Sequence, residues 1–124
     1  MTILAFLFVL TFTSSAFAES WVMWVEQDSA RATKPSWDFK RDIYDNRAGC
    51  NAALPQELNN RIKLYQSIGH ELLSEKDTPV GVMYVRKDPP NRIVRGLRDN
   101  DKQKSWVIME SFYCFPVGLD PRER

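Results

Sequence analysis

The chain has 124 residues, with 17 basic and 16 acidic side chains and a formal net charge of +1 at neutral pH. A balance this even gives no electrostatic reason to expect binding to nucleic acid or to an anionic membrane. The length suits one small domain with a modest core, to which four Trp and four Tyr can contribute.

The first eighteen residues, MTILAFLFVLTFTSSAFA, have the pattern of a secretory signal peptide. An apolar run over residues 3–12 is followed by small and polar residues and then by Ala-x-Ala at residues 16–18. A transmembrane helix needs about 20 apolar residues, and this run is shorter. We therefore predict a signal peptide over residues 1–18, cleaved between Ala18 and Glu19. The rest, residues 19–124, is predicted to be a single exported domain, periplasmic or secreted.

Two strands are predicted after the cleavage site. Residues 20–26 are apolar on both alternating faces, which favours a strand covered on both sides. A polar connection leads to a second strand over residues 37–44. The tryptophans of these strands could form a binding platform or sheet core, and core is the more common role. Trp21 and Trp24 are expected to face opposite ways, so both cannot serve one surface.

A helix is predicted next, because apolar residues recur at spacings of three and four. Asp45 or Asn46 can cap its start. Pro55 lies inside the pattern and removes a backbone donor, so we expect a kink between a piece over 46–54 and a longer piece over 56–74. The apolar stripe consists of Cys50, Leu54, Leu58, Ile62, Tyr65, Ile68 and Leu72.

Strands are predicted again over residues 80–86 and 104–114, with a short strand at Ile93-Val94 inside a polar connection. The order of elements indicates an α+β fold: a single antiparallel sheet of about four strands, with one kinked helix packed on one face. Cys50 at the helix start and Cys114 at the end of the last strand would then form one disulfide between helix and sheet. Two cysteines in an exported chain favour that bond, while two free buried thiols or an incomplete zinc site stay open.

No catalytic, cofactor-binding or metal-binding constellation is visible in the sequence. His70 is the only histidine and is expected to be a surface or half-buried residue of the helix, about 30 Å from Cys50 along a continuous helix. Asp99 and Asp101 resemble the start of a calcium loop, but the glycine and the closing glutamate are missing. We therefore expect no metal, no cofactor and no enzymatic activity.

The stretch over residues 86–104 is locally basic and could grip an anionic partner. A solvated connection between two strands would have the same composition. Long loops in small domains are often functional, so the first part of this stretch is our tentative interaction loop. Its residues are Arg86, Lys87, Asp88, Pro89, Pro90, Asn91 and Arg92.

Three blocks of the chain resemble an uncharacterised group of small exported bacterial proteins. The blocks are Trp21-Val22-Met23-Trp24-Val25, Ala48-Gly49-Cys50-Asn51-Ala52-Ala53-Leu54 and Cys114-Phe115-Pro116-Val117-Gly118-Leu119-Asp120-Pro121-Arg122. The group typically begins with W-x-x-W, opens its helix with C-x-x-A-L and ends with C-[LF]-P-x-x-x-D-P-R. The resemblance implies bacterial export and supports a Cys50–Cys114 bond, and it supplies no activity.

These observations predict a small disulfide-stapled protein that acts by binding or by structural interaction in the bacterial envelope or outside the cell. The expected partner is a protein or an envelope polymer, not nucleic acid, and no membrane span is expected after processing. One alternative is an inhibitor of a secreted hydrolase that uses the stiff turn at residues 88–91. Another is a minimal enzyme that depends on carboxylates.

Overall fold

The computed structural model describes residues 20–74 and 78–123, except for the side chain of Arg41. The signal peptide predicted for residues 1–18 and its cleavage site between Ala18 and Glu19 lie outside the described residues.

The described residues form a six-stranded sheet and one α-helix, so the α+β class with one disulfide is confirmed. The sheet has the order β2-β1-β6-β5-β4-β3. The strands are β1 (Trp21–Ser29), β2 (Ser36–Tyr44), β3 (Glu71–Leu72), β4 (Met83–Asp88), β5 (Arg92–Leu97) and β6 (Trp106–Pro116). The helix α1 spans Arg47–Ser67, and a 3-10 helix spans Pro121–Glu123.

The prediction of about four antiparallel strands is wrong in two respects. The sheet is larger, because residues 92–97 form the full strand β5 where we expected a polar connection with only two strand residues. The sheet is also mixed, because β3 runs parallel to β4, and an isolated parallel bridge joins Val80 to Arg98. β4 begins at Met83, three residues later than predicted, after Gly81 with a φ of 85°.

The prediction of two separate helical pieces around Pro55 is wrong, since α1 runs without interruption from Arg47 to Ser67, while a kink within it stays a prediction. Pro55 and Asn51 are both exposed, so the Asn51 carbonyl that loses its helical donor can be solvated by water. Asn46 caps the start, and its side chain accepts a hydrogen bond from the Gly49 N–H at 2.7 Å.

Gly69 ends the helix earlier than predicted. Its φ of 103° suits glycine, and its N–H donates to the Gln66 carbonyl at 3.2 Å. The His70 N–H donates to the Tyr65 carbonyl at 3.0 Å. These two bonds define a Schellman motif, which stops the helix and sends residues 71–72 into β3.

The main core lies between α1 and one face of the sheet, which we call the covered face. Leu58, Ile62 and Tyr65 of the helix pack there, and burial of apolar groups of this kind is the main stabilising term of a small domain. The residues of the sheet that meet them are Met23, Val25, Val85, Ile93 and Phe112. We call the opposite face the far face, and among the described residues it carries no α-helix.

The disulfide joins Cys50, in the first turns of α1, to Cys114 near the end of β6, as predicted. Cys50 is fully buried. The bond ties the helix start to the central strand of the sheet, and a disulfide is compatible with an exported protein. In the described part of the chain, no helix has the length and apolar character needed to cross a membrane.

Candidate functional site

The predicted interaction loop forms the hairpin between β4 and β5, with Pro89 and Pro90 exposed in the turn. Its charges are partly engaged within the sheet. The Arg92 Nε donates to the Ser111 Oγ at 3.0 Å, and an Arg92 nitrogen lies 3.9 Å from the Asp88 carboxylate. A role of this hairpin in an interaction stays a prediction.

The hairpin marks the place where the pairing of β5 with β6 ends. The Phe112 N–H donates to the Asn91 carbonyl at 2.8 Å, and the Asn91 side-chain amide donates to the Phe112 carbonyl at 2.9 Å. Asn91 therefore supplies the hydrogen-bond partners of both the N–H and the C=O of Phe112. Pro89, which would come opposite Cys114 if this register continued, has no N–H to extend the ladder.

β6 continues past this point to Pro116 with a neighbour on one side only, β1. In an antiparallel ladder the N–H and C=O groups of alternate residues point to opposite sides of the strand. The backbone N–H and C=O of Phe112 point toward Asn91. Those of Cys114, two residues further on, therefore point the same way, away from β1. Over residues 20–74 and 78–123, neither group has a hydrogen-bond partner.

A cavity of about 350 Å³ lies along this free edge. We call it the edge groove. One wall is the start of α1, and the hairpin turn closes one end. Its floor is the backbone of β6. The residues that line it are Arg47, Asn51, Leu54, Pro90, Asn91, Phe112, Tyr113, Cys114 and Phe115.

Three aromatic side chains pack together on the far face, and we call them the aromatic platform: Trp37, Tyr113 and Phe115. Tyr113 and Phe115 also line the groove. The rings of Tyr113 and Phe115 stack with centroids 5.8 Å apart and an interplanar angle of 13°. Trp37 of β2 lies 5.8 Å from Tyr113 and 6.3 Å from Phe115. All three are half-buried, so each keeps part of its surface available.

The neighbouring tryptophans lie on different faces of the sheet. Trp24 lies on the far face, 5.2 Å from Phe39, with the Arg122 guanidinium 5.3 Å from its ring centroid. Asp120 holds that guanidinium at 2.6 Å, and the pKa of Asp120 is lowered by this hydrogen bond. Trp21 instead packs against the covered-face core, beneath the Arg47 guanidinium.

A second group of polar side chains is buried between α1 and the covered face, around Glu110. The Glu110 side chain is fully buried. Its Oε1 accepts hydrogen bonds from the Tyr65 hydroxyl and, at 3.2 Å each, from the Gln27 amide and the Arg95 Nε. The Arg61 Nε lies 3.8 Å from its Oε2. We call these five residues the Glu110 cluster.

The contacts of the Glu110 cluster link α1 to the sheet through Tyr65 and Arg61. A buried carboxylate is tolerated when it is paired and hydrogen-bonded. The Glu110 Oε1 accepts three hydrogen bonds, whereas its Oε2 is buried without one among the described residues and has the Arg61 charge 3.8 Å away. Burial, followed by the hydrogen bond to Glu110, raises the pKa of Tyr65, so this hydroxyl stays protonated. Arg95 lies between the Tyr65 and Trp106 rings, at 4.6 Å and 5.6 Å from their centroids.

His70 is buried and lies just beyond the helix, which corrects the expected surface or half-buried helical position. Its Nδ1 lies 3.1 Å from the Tyr65 carbonyl and acts as donor to it, so the Nε2 carries the lone pair of a neutral ring. Burial, and then the nearby charge of Arg95, lowers the pKa of His70.

The acidic loop at Asp99 and Asp101 uses its carboxylates for local backbone contacts. The Asp99 Oδ1 accepts the Asp101 N–H at 2.9 Å, and the Asp101 Oδ1 accepts the Gln103 N–H at 3.0 Å. Over the described ranges, no group of three or more His, Cys, Asp or Glu side chains is placed to hold a metal ion.

No protein-family model, curated protein sequence or solved structure matches the chain. The choice among functions therefore depends on the geometry of the site. Sequence reasoning identified Trp37 as a candidate but missed the edge groove. The groove results from the unequal lengths of β5 and β6, and the available signal was the Pro-Pro-Asn turn facing a longer apolar strand.

Proposed function

We propose that this chain is an exported binding protein that holds its partner at the end of β6. The single observation that carries the proposal is the aromatic platform beside the edge groove. Tyr and Trp dominate the energetics of binding interfaces because each buries a large apolar surface at a small entropic cost.

The surroundings of the platform support this proposal. Rings that are already packed lose little freedom on binding, which favours affinity. Tyr113 and Phe115 stack on each other and pack against the tilted ring of Trp37. Neighbouring Trp24 is flanked by Phe39 and Arg122. The platform is therefore pre-organised before any partner arrives.

Export is part of the proposal. The predicted signal peptide, the disulfide and the resemblance to small exported bacterial proteins all support it. We propose a periplasmic or secreted location and a partner that belongs to the envelope or the culture medium.

The test is a pull-down with oxidised protein produced by export of the full chain. Wild type, a Tyr113→Ala/Phe115→Ala double variant and a Val107→Ala control are compared on envelope and supernatant fractions of the source cells. Val107 is a matched control, because it is exposed on the same strand and face at the other end of β6.

A partner retained by wild type and by Val107→Ala, and lost with the double variant, is the expected result. Equal retention by all three proteins, or none by wild type at any salt concentration, contradicts the proposal. Circular dichroism must show that the double variant is folded.

A second candidate function is inhibition of a secreted hydrolase. The observation that favours it is the hairpin turn, where Pro89 and Pro90 are exposed and Asn91 anchors the turn to Phe112. An inhibitor of this kind would survive incubation with its target and block its activity. Replacing Pro89 and Pro90 by Ala would abolish that block, whereas the platform variant would leave it unchanged.

A further inference from the structure

The backbone at the end of β6 indicates the chemistry of the partner. We propose that the edge groove takes an extended polypeptide segment, which adds as a short strand beside Cys114. This inference rests on the proposed function and names the partner class of the same site. It is a case of strand addition at a sheet edge, in which the main chain supplies affinity and alternate side chains supply specificity.

The free groups at Cys114 are an N–H and a C=O that point into the groove from the same residue. One residue of an antiparallel partner strand can exchange two hydrogen bonds with such a pair. The backbone groups on either side are already used. Asn91 satisfies Phe112, and the Pro116 carbonyl accepts the Leu119 N–H at 3.0 Å. The edge groove therefore accommodates one residue that forms both backbone hydrogen bonds with Cys114, and one further residue on each side of it.

The position of the edge groove also favours a partner in strand conformation. Neighbouring strands lie about 4.8 Å apart, and a segment paired with Cys114 would continue the line of β5 beyond the hairpin turn. The turn at Pro90 and Asn91 blocks that line on one side. An incoming segment must therefore enter from the opposite end, near Phe115.

The two walls of the groove predict the side chains of the segment. Residues directly opposite each other in an antiparallel pair point to the same face, so the residue paired with Cys114 points toward α1. There it meets Arg47 and Asn51 at the helix N-terminus, and the charge of Arg47 with the helix dipole favours an acidic side chain.

The neighbouring residues of the segment point to the far face. There they meet Tyr113 and Phe115, which favour aromatic or apolar side chains. The predicted partner sequence is therefore apolar–acidic–apolar in an extended conformation. A glycan would stack on the platform equally well, but it would not form a ladder with Cys114.

The experiment uses a blocked three-residue peptide, acetyl-Phe-Glu-Phe-amide, and a control peptide in which the glutamate nitrogen is methylated. The methyl group removes the N–H that would donate to the Cys114 carbonyl and leaves the side chains unchanged. Binding to the oxidised protein is followed by amide chemical shifts, and the Cys114 amide is followed by hydrogen exchange. The Phe112 amide, already bonded to Asn91, is the internal reference.

We expect saturable binding, slower exchange at Cys114 with no change at Phe112, and an about tenfold loss of affinity for the methylated peptide. A charge exchange sharpens the test. Arg47→Glu should weaken binding of the Phe-Glu-Phe peptide and strengthen binding of a Phe-Lys-Phe peptide, while circular dichroism verifies that the variant is folded.

Absence of saturable binding overturns the inference, and so does equal affinity for the Phe-Glu-Phe peptide and its N-methylated control. Shifts at Tyr113 and Phe115 without protection of Cys114 overturn it as well, and point to a partner that only stacks, such as a glycan. The proposed function is judged separately, because it fails if the pull-down with wild type retains no partner or if retention does not depend on the platform.

Discussion

The two halves of β6 differ in what surrounds them. The first half, residues 106–111, is paired with β5 along its whole length and with β1 from Ile108 onward, and it contributes Glu110 to the Glu110 cluster. The second half, residues 112–116, keeps only β1 as a strand neighbour and carries the aromatic platform beside a free edge. We call residues 106–111 the closed half, because residues 108–111 have a strand neighbour on both sides, and residues 112–116 the open half, because β1 is their one strand neighbour among the described residues.

This difference shows how a small domain separates stability from binding. In the first half, the Glu110 Oε1 accepts three hydrogen bonds, whereas its buried Oε2 has no hydrogen-bond partner among the described residues. In the second half, the N–H and C=O of Cys114 have no hydrogen-bond partner among residues 20–74 and 78–123, while its side chain forms the disulfide. A free edge is a liability in a sheet, and here it is short and walled by a helix and a turn.

Removing the disulfide is expected to have the largest effect on the free energy of unfolding, because it releases the open half of β6 from α1. For a separation of 64 residues, the chain-entropy model predicts a loss of about 4 kcal/mol for Cys50→Ser or Cys114→Ser. The double variant should cost little more than either single variant. Urea unfolding measures all three, and additive losses would contradict a shared bond.

Glu110→Gln is expected to cost about 2 kcal/mol, because Arg61 and Arg95 lose their charged partner while the volume is kept. Glu57→Gln is the control, since its ion pair with the partly exposed Lys40 should contribute less than about 1 kcal/mol. Urea unfolding of both variants checks this. Similar losses of unfolding free energy in Glu110→Gln and Glu57→Gln would contradict a special contribution of Glu110 to stability.

Lowering the pH should reduce the free energy of unfolding through His70. The folded-state pKa lies below the unfolded value of about 6.5, so the unfolded chain binds the extra proton first. Stability is therefore full above about pH 6.5 and falls as the pH drops from there through the folded pKa. Unfolding measured at pH 7.5 and 5.5 should show a loss in wild type that His70→Gln lacks.

Arg122→Ala should have the smallest effect on stability, because this side chain is largely exposed. Its expected consequence is local: loss of the cation above Trp24 changes tryptophan fluorescence and loosens the far face next to the platform. Asp120→Ala should give the same spectral change, since Asp120 holds the guanidinium. A change with only one of the two variants would contradict this coupling.

Local patterns predicted much of this fold. Alternation identified β1, β2 and β6, and the number and placement of the cysteines indicated the disulfide. The failures concern features that depend on distant partners. Arg95 suggested a loop, and only its contacts with Glu110 and Tyr65 explain a strand there. Gly69 was the overlooked stop signal, and apolar Ile68 and Leu72 beyond the helix are in fact exposed.

The candidate site was less predictable than the fold. Trp37 and the Pro-Pro turn stood out in the sequence, but the edge groove exists only because β5 pairs with residues 106–111 and stops. Such a register is set by long-range pairing and not by composition.

Hydrogen exchange of individual amides in the free protein tests the central claim most directly. The account predicts that the Cys114 amide exchanges at least about tenfold faster than the Phe112 amide, because Phe112 donates to Asn91 and Cys114 has no acceptor in the described part of the chain. Equal protection of the two amides would contradict the account, since β6 would then be closed along both halves and would have no edge to offer a partner.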